Sequence, residues 1–246
     1  MNSLPTSVAL PCFLLAAGRG ERMRPLTDTT PKPLLQIQGK SLLQWHIEAL
    51  VAAKTSRIVI NHAWLGEQIE LALGDGAKWG LEIQYSPEET ALETAGGIRQ
   101  ALALLNPDPY FLVINGDVFC PGLPIVAFTR RFQAHLNGGA KPLAYLMLVP
   151  NPPQHPEGDF FLHGEHVSDK PSKAEFQETK LTFSGIGIYH QSLFTDLKIG
   201  ETAKLAPLLC SAMAKNQVFG EKYTGPWHDV GTPQRLHELN QSYDPK

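Results

Sequence analysis

Short unbroken apolar runs alternate along this chain with longer stretches in which apolar residues recur every three or four positions. "CFLLAA" has the pattern of a strand buried on both faces. "SLLQWHIEALVAAK" sets Leu43, Ile47 and Leu50 at helical spacing, with Ser41 placed to cap the helix start. "RIVIN" predicts a second strand, and "WLGEQIELAL" a second helix closed by "GDG". "LEIQYS" is a third strand, and "TAGGIRQALALL" a third helix with Ile98, Leu102 and Leu105 on one face. "YFLVING" is a fourth strand, followed by Asp117. Repeated strand–helix units predict an α/β fold with parallel strands and right-handed crossovers. Ligands of such sheets gather at the carboxyl ends of the strands, which would place the loop after strand one and Asp117 on one edge.

The second half is less regular. "PLAYLMLV" and "LTFSGIGIYH" read as strands, "NPPQHPEGD" as a turn-rich loop, and "FFLHGEHVSD" as a hairpin around Gly164. "KLAPLLCSAMAK" reads as a helix, "VFGEKYTGPWHDVGTP" as two short strands, and a last helix begins near Pro233. There is no internal repeat and no low-complexity linker. The expectation is one domain over 1–246, with a regular first half at about 10–120 and a less regular second half at about 121–246.

Composition narrows the partners. The 246 residues are 43% hydrophobic and carry a net charge of -3, which suits a globular chain and argues against a nucleic-acid partner. Cys12, Cys120 and Cys210 stand singly without CxxC spacing, so neither a disulfide framework nor a zinc site is expected, and a reducing cytosol is. The N-terminal "MNSLPTSVALPCFLLAAG" has no Lys or Arg before its apolar run and reads as strand one, not a leader. No apolar stretch reaches the length of about 18 residues that spans a bilayer.

The candidate chemistry begins in "LLAAGRGERMRPLTDTTPKPLL", where fixed positive charge is set on a loop directly after a buried strand. An anion held there, most simply a phosphate chain, accounts for it. Two familiar phosphate loops are excluded: Met23 stands at the third glycine of G-x-G-x-x-G, and Leu34 at the first glycine of the Walker pattern that "GKS" at Gly39 to Ser41 would complete. Gly18 and Gly20 let backbone N–H groups approach phosphate oxygens. Arg22 offers a planar fork for two oxygens. Pro25, Pro31 and Pro33 stiffen the segment around Lys32, which is expected to have no regular structure.

With these residues in view, GxGxRxxPLT followed by PKPL resembles the signature of the sugar-1-phosphate nucleotidylyltransferases. "INHAWLGEQIE", "YSPEETALETAGGI", "VINGDVF", "GDF", "LTFSGIGIYH", "KLAPLL" and "WHDVGT" extend the resemblance along nearly the whole chain, toward the N-acetylmuramate α-1-phosphate uridylyltransferase group. The resemblance implies a Rossmann-like three-layer, glycosyltransferase-A-like α/β fold with a predominantly parallel, mixed central sheet. It implies UTP and a sugar 1-phosphate as substrates, Mg2+ as cofactor, and a cytoplasmic role in peptidoglycan recycling. It also implies that Ala17, Gly18, Gly20, Glu21, Arg22, Lys32, Gly96 and Asn115 meet the nucleotide, and that Asp117 and Asp229 hold the metal. Arg22, Lys32 and Asp117 would carry the chemistry. Gly96 and Gly97 would open a helix toward the nucleoside.

On the sugar side, Asp159 in "EGDF" is the stronger candidate for hydroxyls and Glu165 a weaker one. Lys170 in "VSDKPS" resembles a family lysine that meets the sugar phosphate, with Asp169 where relatives carry glutamate. His163 and His166 read as a solvated hairpin, and Trp64, Trp79 and Trp227 as core or pocket wall. A monomer or small homo-oligomer is expected. A sibling acting on another base, on glucose, mannose or N-acetylglucosamine 1-phosphate, or on choline phosphate stays open, as does a nucleotide-sugar-binding regulator without catalysis.

Overall fold

The structure is a computed structural model that describes residues 9–107, 109–172 and 179–243. The first eight residues of the N-terminal stretch considered above as a leader lie outside the described residues. Thirteen strands are described: β1 (Cys12–Leu15), β2 (Gln36–Ile37), β3 (Lys40–Ser41), β4 (Arg57–His62), β5 (Glu82–Pro87), β6 (Tyr110–Asn115), β7 (Val118–Phe119), β8 (Ala144–Val149), β9 (Phe161–His163), β10 (His166–Ser168), β11 (Thr182–His190), β12 (Val218–Lys222) and β13 (His228–Asp229). The α-helices are α1 (Leu42–Ala52), α2 (Gly66–Leu73), α3 (Glu93–Leu105), α4 (Ile125–Asn137), α5 (Leu205–Met213) and α6 (Pro233–Ser242).

Nine strands form one sheet in the order β5-β4-β1-β6-β11-β8-β12-β10-β9. β5, β4, β1 and β6 are mutually parallel. β11 inserts antiparallel between β6 and β8, and β10 runs antiparallel to both β12 and β9. Seven of the nine strands therefore point the same way and two, β10 and β11, oppose them. The sheet is mixed and predominantly parallel.

The unbroken apolar runs follow from burial on both faces. In β1, Cys12 and Leu14 join one core and Phe13 the other. β4 repeats this with Ile58 and Ile60 against Val59, and β6 with Leu112 and Ile114 against Phe111 and Val113. Residues of α1, α2 and α4 cover the first face, and residues of α3 and α5 the second, giving three layers. A smaller core joins α6, through Leu236 and Leu239, to Met23, Ile37, Phe119 and Val230. That cluster ties the chain's last helix to the loop after β1.

Local signals behaved as their chemistry requires. The Ser41 hydroxyl accepts from Gln44 N–H at 3.1 Å, and the Thr232 hydroxyl from Arg235 N–H at 3.3 Å ahead of Pro233. One element goes beyond the sequence reading: α4 occupies a stretch for which no element was expected. Its signal is present, since Ile125, Phe128 and Phe132 fall three and four residues apart and are buried. A second difference lies after β1, where the proline-rich segment folds into three 3₁₀ turns, Glu21–Met23, Leu26–Asp28 and Lys32–Leu34.

His46 on α1 is 2% exposed, and its Nε2 has no partner among the described residues. Burial pushes its imidazole down from 6.5 to about 4, against weaker opposing effects of the Val118 backbone and the Asp117 carboxylate. The folded protein thus holds this group neutral, and protonation favours the unfolded chain. Stability assigned to His46 is complete above 6.5 and falls as pH drops toward about 4. Denaturant titrations should show His46→Leu losing about 3 kcal/mol less than the wild type between pH 7 and pH 4. Parallel pH profiles for the two proteins would contradict this.

Candidate active site

The loop after β1 is rigid because its charges are mostly spent on itself. The Arg19 guanidinium stacks 3.8 Å over the Trp64 ring, donates to Thr27 O at 2.8 Å, and pairs with Glu21 and Asp28. Arg24 pairs with the same two acids. Thr27 Oγ1 donates to Gly20 O at 2.9 Å, and Gly20 holds a left-handed φ of +68°. A Cβ there would lie 3.1 Å from both Lys32 Cβ and Thr27 Cγ2, so glycine is required for conformation and for space. Arg22 is different: it is exposed, and no ion pair or hydrogen bond holds it among the described residues. Of the loop's arginines, it is the one left to meet a ligand.

Lys32 is 7% exposed, unusual for lysine, and Nζ donates to Asp117 Oδ2 at 2.7 Å. Asp117 stands between β6 and β7. β13 pairs antiparallel with β7, setting Asp229 opposite Val118, and Val230 N–H donates to Asp117 O at 3.2 Å. Two acids more than a hundred positions apart thus share one short ladder. Arg235, from the first turn of α6, donates to Asp229 Oδ2 at 2.8 Å.

Two cavities open along this edge. One, of about 330 Å³, is lined by Leu15–Gly18, Lys32, Pro33, Asn61, Glu88, Ala91, Glu93, Thr94, Asn115 and Asp117. The other, of about 410 Å³, is lined by Arg22, Asn115, Asp117, Val118, Pro152, Gln154, His155, Asp159, Thr182–Gly185, Trp227, Asp229 and Arg235. Asn115 and Asp117 belong to both, forming the wall between them. A cavity of about 530 Å³ near Trp45 and Pro121 contains none of the candidate residues.

A bulge in β11 shapes the second cavity. The register with β8 shifts between Phe183 and Gly187, and Ser184 is fixed by its hydroxyl donating to Met147 O at 2.7 Å and by Trp227 Nε1 donating to its carbonyl at 2.9 Å. The absent side chain of Gly185 leaves room for Asn115. In the first cavity, Asn61 Oδ1 accepts from Ala16 N–H at 2.7 Å, and its amide donates to Glu88 Oε1 at 2.7 Å. Burial pushes the Glu88 carboxyl up, opposed by the Leu92 N–H and the Asn61 amide.

Ala17, Gly18, Lys32, Asn115 and Asp117 come together at the first cavity, and Arg22, Asp159 and Asp229 at the second. Gly20 shapes the loop, and the Glu21 carboxylate pairs with Arg19 and Arg24. Gly96 stands apart from these. It lines neither cavity, and a Cβ on it would stand 2.2 Å from Glu201 O. Ala203 O accepts from the N–H groups of Ala95 and Gly96, so those groups are not open to a ligand. The close approach that this glycine permits is to the protein's own chain. Glu165 sits in the β9–β10 turn, exposed and 3.6 Å from His135, and Lys170 is exposed; both lie outside the two cavities. Asp159 lines the cavity with both oxygens engaged, by Phe183 N–H at 2.8 Å and by His155 Nε2 at 3.1 Å.

Gln154, His155 and Arg235, with Asn61, Glu88, Glu93 and Thr94, were not singled out by sequence. Their signal is topological: Asn61 lies near the end of β4, Glu88 follows β5, Gln154 and His155 follow β8, and Glu93, Thr94 and Arg235 stand in first helical turns. Asp117 and Asp229 supply hard oxygen donors on one wall, which fits magnesium, a cation that takes few carboxylates and completes its shell with water and phosphate oxygens. Among the described residues no group of three or more His, Cys, Asp or Glu could cage a metal, so a ligand's oxygens would be needed.

The family model for "Nucleotidyl transferase" matches residues 12–245. This chain belongs to the nucleotidyl transferase family. This nucleotidyl transferase is 53% identical to the N-acetylmuramate alpha-1-phosphate uridylyltransferase of Neisseria meningitidis serogroup B, over 92% of this chain and 95% of that one. It is 31% identical to the enzyme of the same name from Caulobacter vibrioides, over 90% and 92% of the two chains. A mannose-1-phosphate guanylyltransferase catalytic subunit beta of Drosophila melanogaster is 29% identical over 95% of this chain, which spans 65% of that longer protein. A solved structure described as a glucose-1-phosphate thymidylyltransferase of Bacillus anthracis superposes with a TM-score of 0.79, covering 96% of this nucleotidyl transferase and 97% of that chain, at 19% identity. That likeness shows the fold.

The packing at Gly96 yields a test. Gly96→Ala should lower stability by about 1–3 kcal/mol in denaturant titration, because backbone at Glu201 must move. Unchanged stability with weakened nucleotide binding would instead mark Gly96 as a ligand contact.

Proposed function

We propose that this nucleotidyl transferase moves the uridylyl group of UTP onto N-acetylmuramate α-1-phosphate, giving UDP-N-acetylmuramate and pyrophosphate in peptidoglycan recycling. The observation that carries the reading is that Arg22, Asp117 and Asp229 line one cavity, while Asp117, shared with the neighbouring cavity, accepts from Lys32. Similarity to relatives bearing that activity over nearly their full length supports the choice of base and sugar. We assign the half at about 10–120 to the nucleotide and the half at about 121–246 to the sugar phosphate. The pool of UTP on which such a reaction draws suits a cytoplasmic enzyme acting on small molecules, as a monomer or small homo-oligomer.

A phosphate oxygen of the sugar phosphate attacks the α-phosphorus of UTP in line. One P–O bond forms, the α–β bridge bond breaks, and the pair of electrons leaves on pyrophosphate. A phosphate dianion is already nucleophilic, so no base is required. Backbone N–H groups of the Ala17–Glu21 loop and the Arg22 fork hold the departing pyrophosphate. Lys32, fixed in the wall, faces the charge that develops on the transferring phosphoryl group. Asn115 orients the nucleotide, and Asp159 holds His155 beside the sugar. Asp117 and Asp229 would hold Mg2+, which neutralises phosphate charge when bound.

The test is pyrophosphate release with magnesium, comparing UTP and N-acetylmuramate 1-phosphate with other nucleoside triphosphates and sugar phosphates. The UTP pair should lead, and chelation should abolish turnover. Asp117→Asn should cut kcat by about 100-fold or more with the fold intact by circular dichroism, and should lower the melting temperature, since the amide leaves the buried Lys32 ammonium without a balancing charge. Faster turnover of another pair would overturn the substrate assignment, and full activity in Asp117→Asn the role of that acid.

A further inference from the structure

Strand order lays out the length of a bound nucleotide. Asp117 follows β6, the glycine loop follows β1, and Glu88 follows β5. These strands lie in the order β5-β4-β1-β6, so at about 4.8 Å per strand the edge spans about 14 Å from the phosphate end to the start of α3. A triphosphate lying over the β1 loop extends its base toward Glu88 and the first turn of α3.

Two carboxylates line that end. Glu88 is 6% exposed, and its oxygens are taken by the Asn61 amide at 2.7 Å and the Leu92 N–H at 2.8 Å. Glu93 is exposed, lines the same cavity, and has no hydrogen bond or ion pair among the described residues. It also holds a φ of +61°, which glycine adopts freely and a residue with a Cβ adopts at a cost. The other described non-glycine residues with positive φ are Gln38, Lys54, Leu65, Asn106 and Asn216, all in turns or at helix ends away from both cavities. An acidic residue in a first helical turn is favourable. Thr94, next along the same turn, has no positive φ, so the helix dipole does not explain why the acid occupies the strained position. Strain retained at a ligand site points to a contact made there.

We propose that Glu93 is a specificity-determining residue whose carboxylate accepts the ring imide N–H of uracil, the one N–H that this base presents. The inference rests on the uridine nucleotide proposed above and adds the group that reads it. The reading is favourable because an N–H donor meets a charged acceptor that has no protein partner among the described residues, whereas the neighbouring Glu88 carboxylate is already taken by Asn61 and Leu92.

The full chain and Glu93→Gly are compared by melting temperature and by kcat/KM for UTP and dUTP, with N3-methyl-UTP measured as a competing inhibitor. Glycine suits the local backbone, so the melting temperature should hold or rise. Efficiency with UTP and with dUTP should fall by the same factor, roughly tenfold or more, and N3-methyl-UTP inhibition should not change. Glu93→Gln, which keeps an acceptor oxygen, should lie between. Unchanged efficiency with UTP overturns the inference, as does a loss for UTP without one for dUTP, which marks a ribose contact. So does N3-methyl-UTP weakening in step with UTP. A wild type without UTP turnover would contradict the proposed function, whereas a neutral Glu93→Gly with UTP turnover intact overturns this inference alone.

Discussion

The contact between Lys32 Nζ and Asp117 Oδ2, 2.7 Å long, is the interaction on which the cleft depends. The lysine side chain is only 9% exposed and the aspartate 38%, so a nearly buried cation is balanced by an acid that still faces solvent. Removing an ammonium from water is costly without a partner. The pair therefore fixes where the loop after β1 can sit relative to the end of β6. Everything else at the edge is arranged around it: the 3₁₀ turns that deliver Lys32, the ladder that carries Asp229, and the helix that supplies Arg235.

This arrangement divides labour among like charges. Arg19 and Arg24 are held by Glu21 and Asp28 and stiffen the loop, Arg235 is spent on Asp229, and Lys32 on Asp117. Arg22 alone among these cations is left unpaired within the described residues. A loop built this way presents donors that need little ordering when an anion binds, which is where rigid sites gain over flexible ones. The same holds in the second cavity, where Asp159 engages both His155 and the Phe183 backbone.

Much of this was legible in the chain. Continuous apolar runs announced strands covered on both faces, and Ser41 and Pro233 marked helix starts because their local chemistry suffices to place them. Lys32 and Asp117 stand out as candidates because their motifs are local. Asp229 was assigned through family resemblance, and only the β7–β13 pairing brings it beside Asp117. Gly96 packs against Glu201, and a glycine that makes room for a ligand and one that makes room for its own chain look alike in a sequence. Gln154, His155 and Glu93 escaped notice because nothing in their neighbours along the chain says which sheet edge they reach. The conformation at Glu93 in particular is a property of the folded backbone.

The proposed reaction requires one triphosphate and one divalent cation to meet between the β1 loop and the β7–β13 ladder. A crystal structure of the chain with UTP and magnesium tests it most directly. Phosphates should lie over Gly18–Arg22, and the cation on oxygens of both Asp117 and Asp229. A triphosphate bound elsewhere, or a cation touching neither acid, would contradict it.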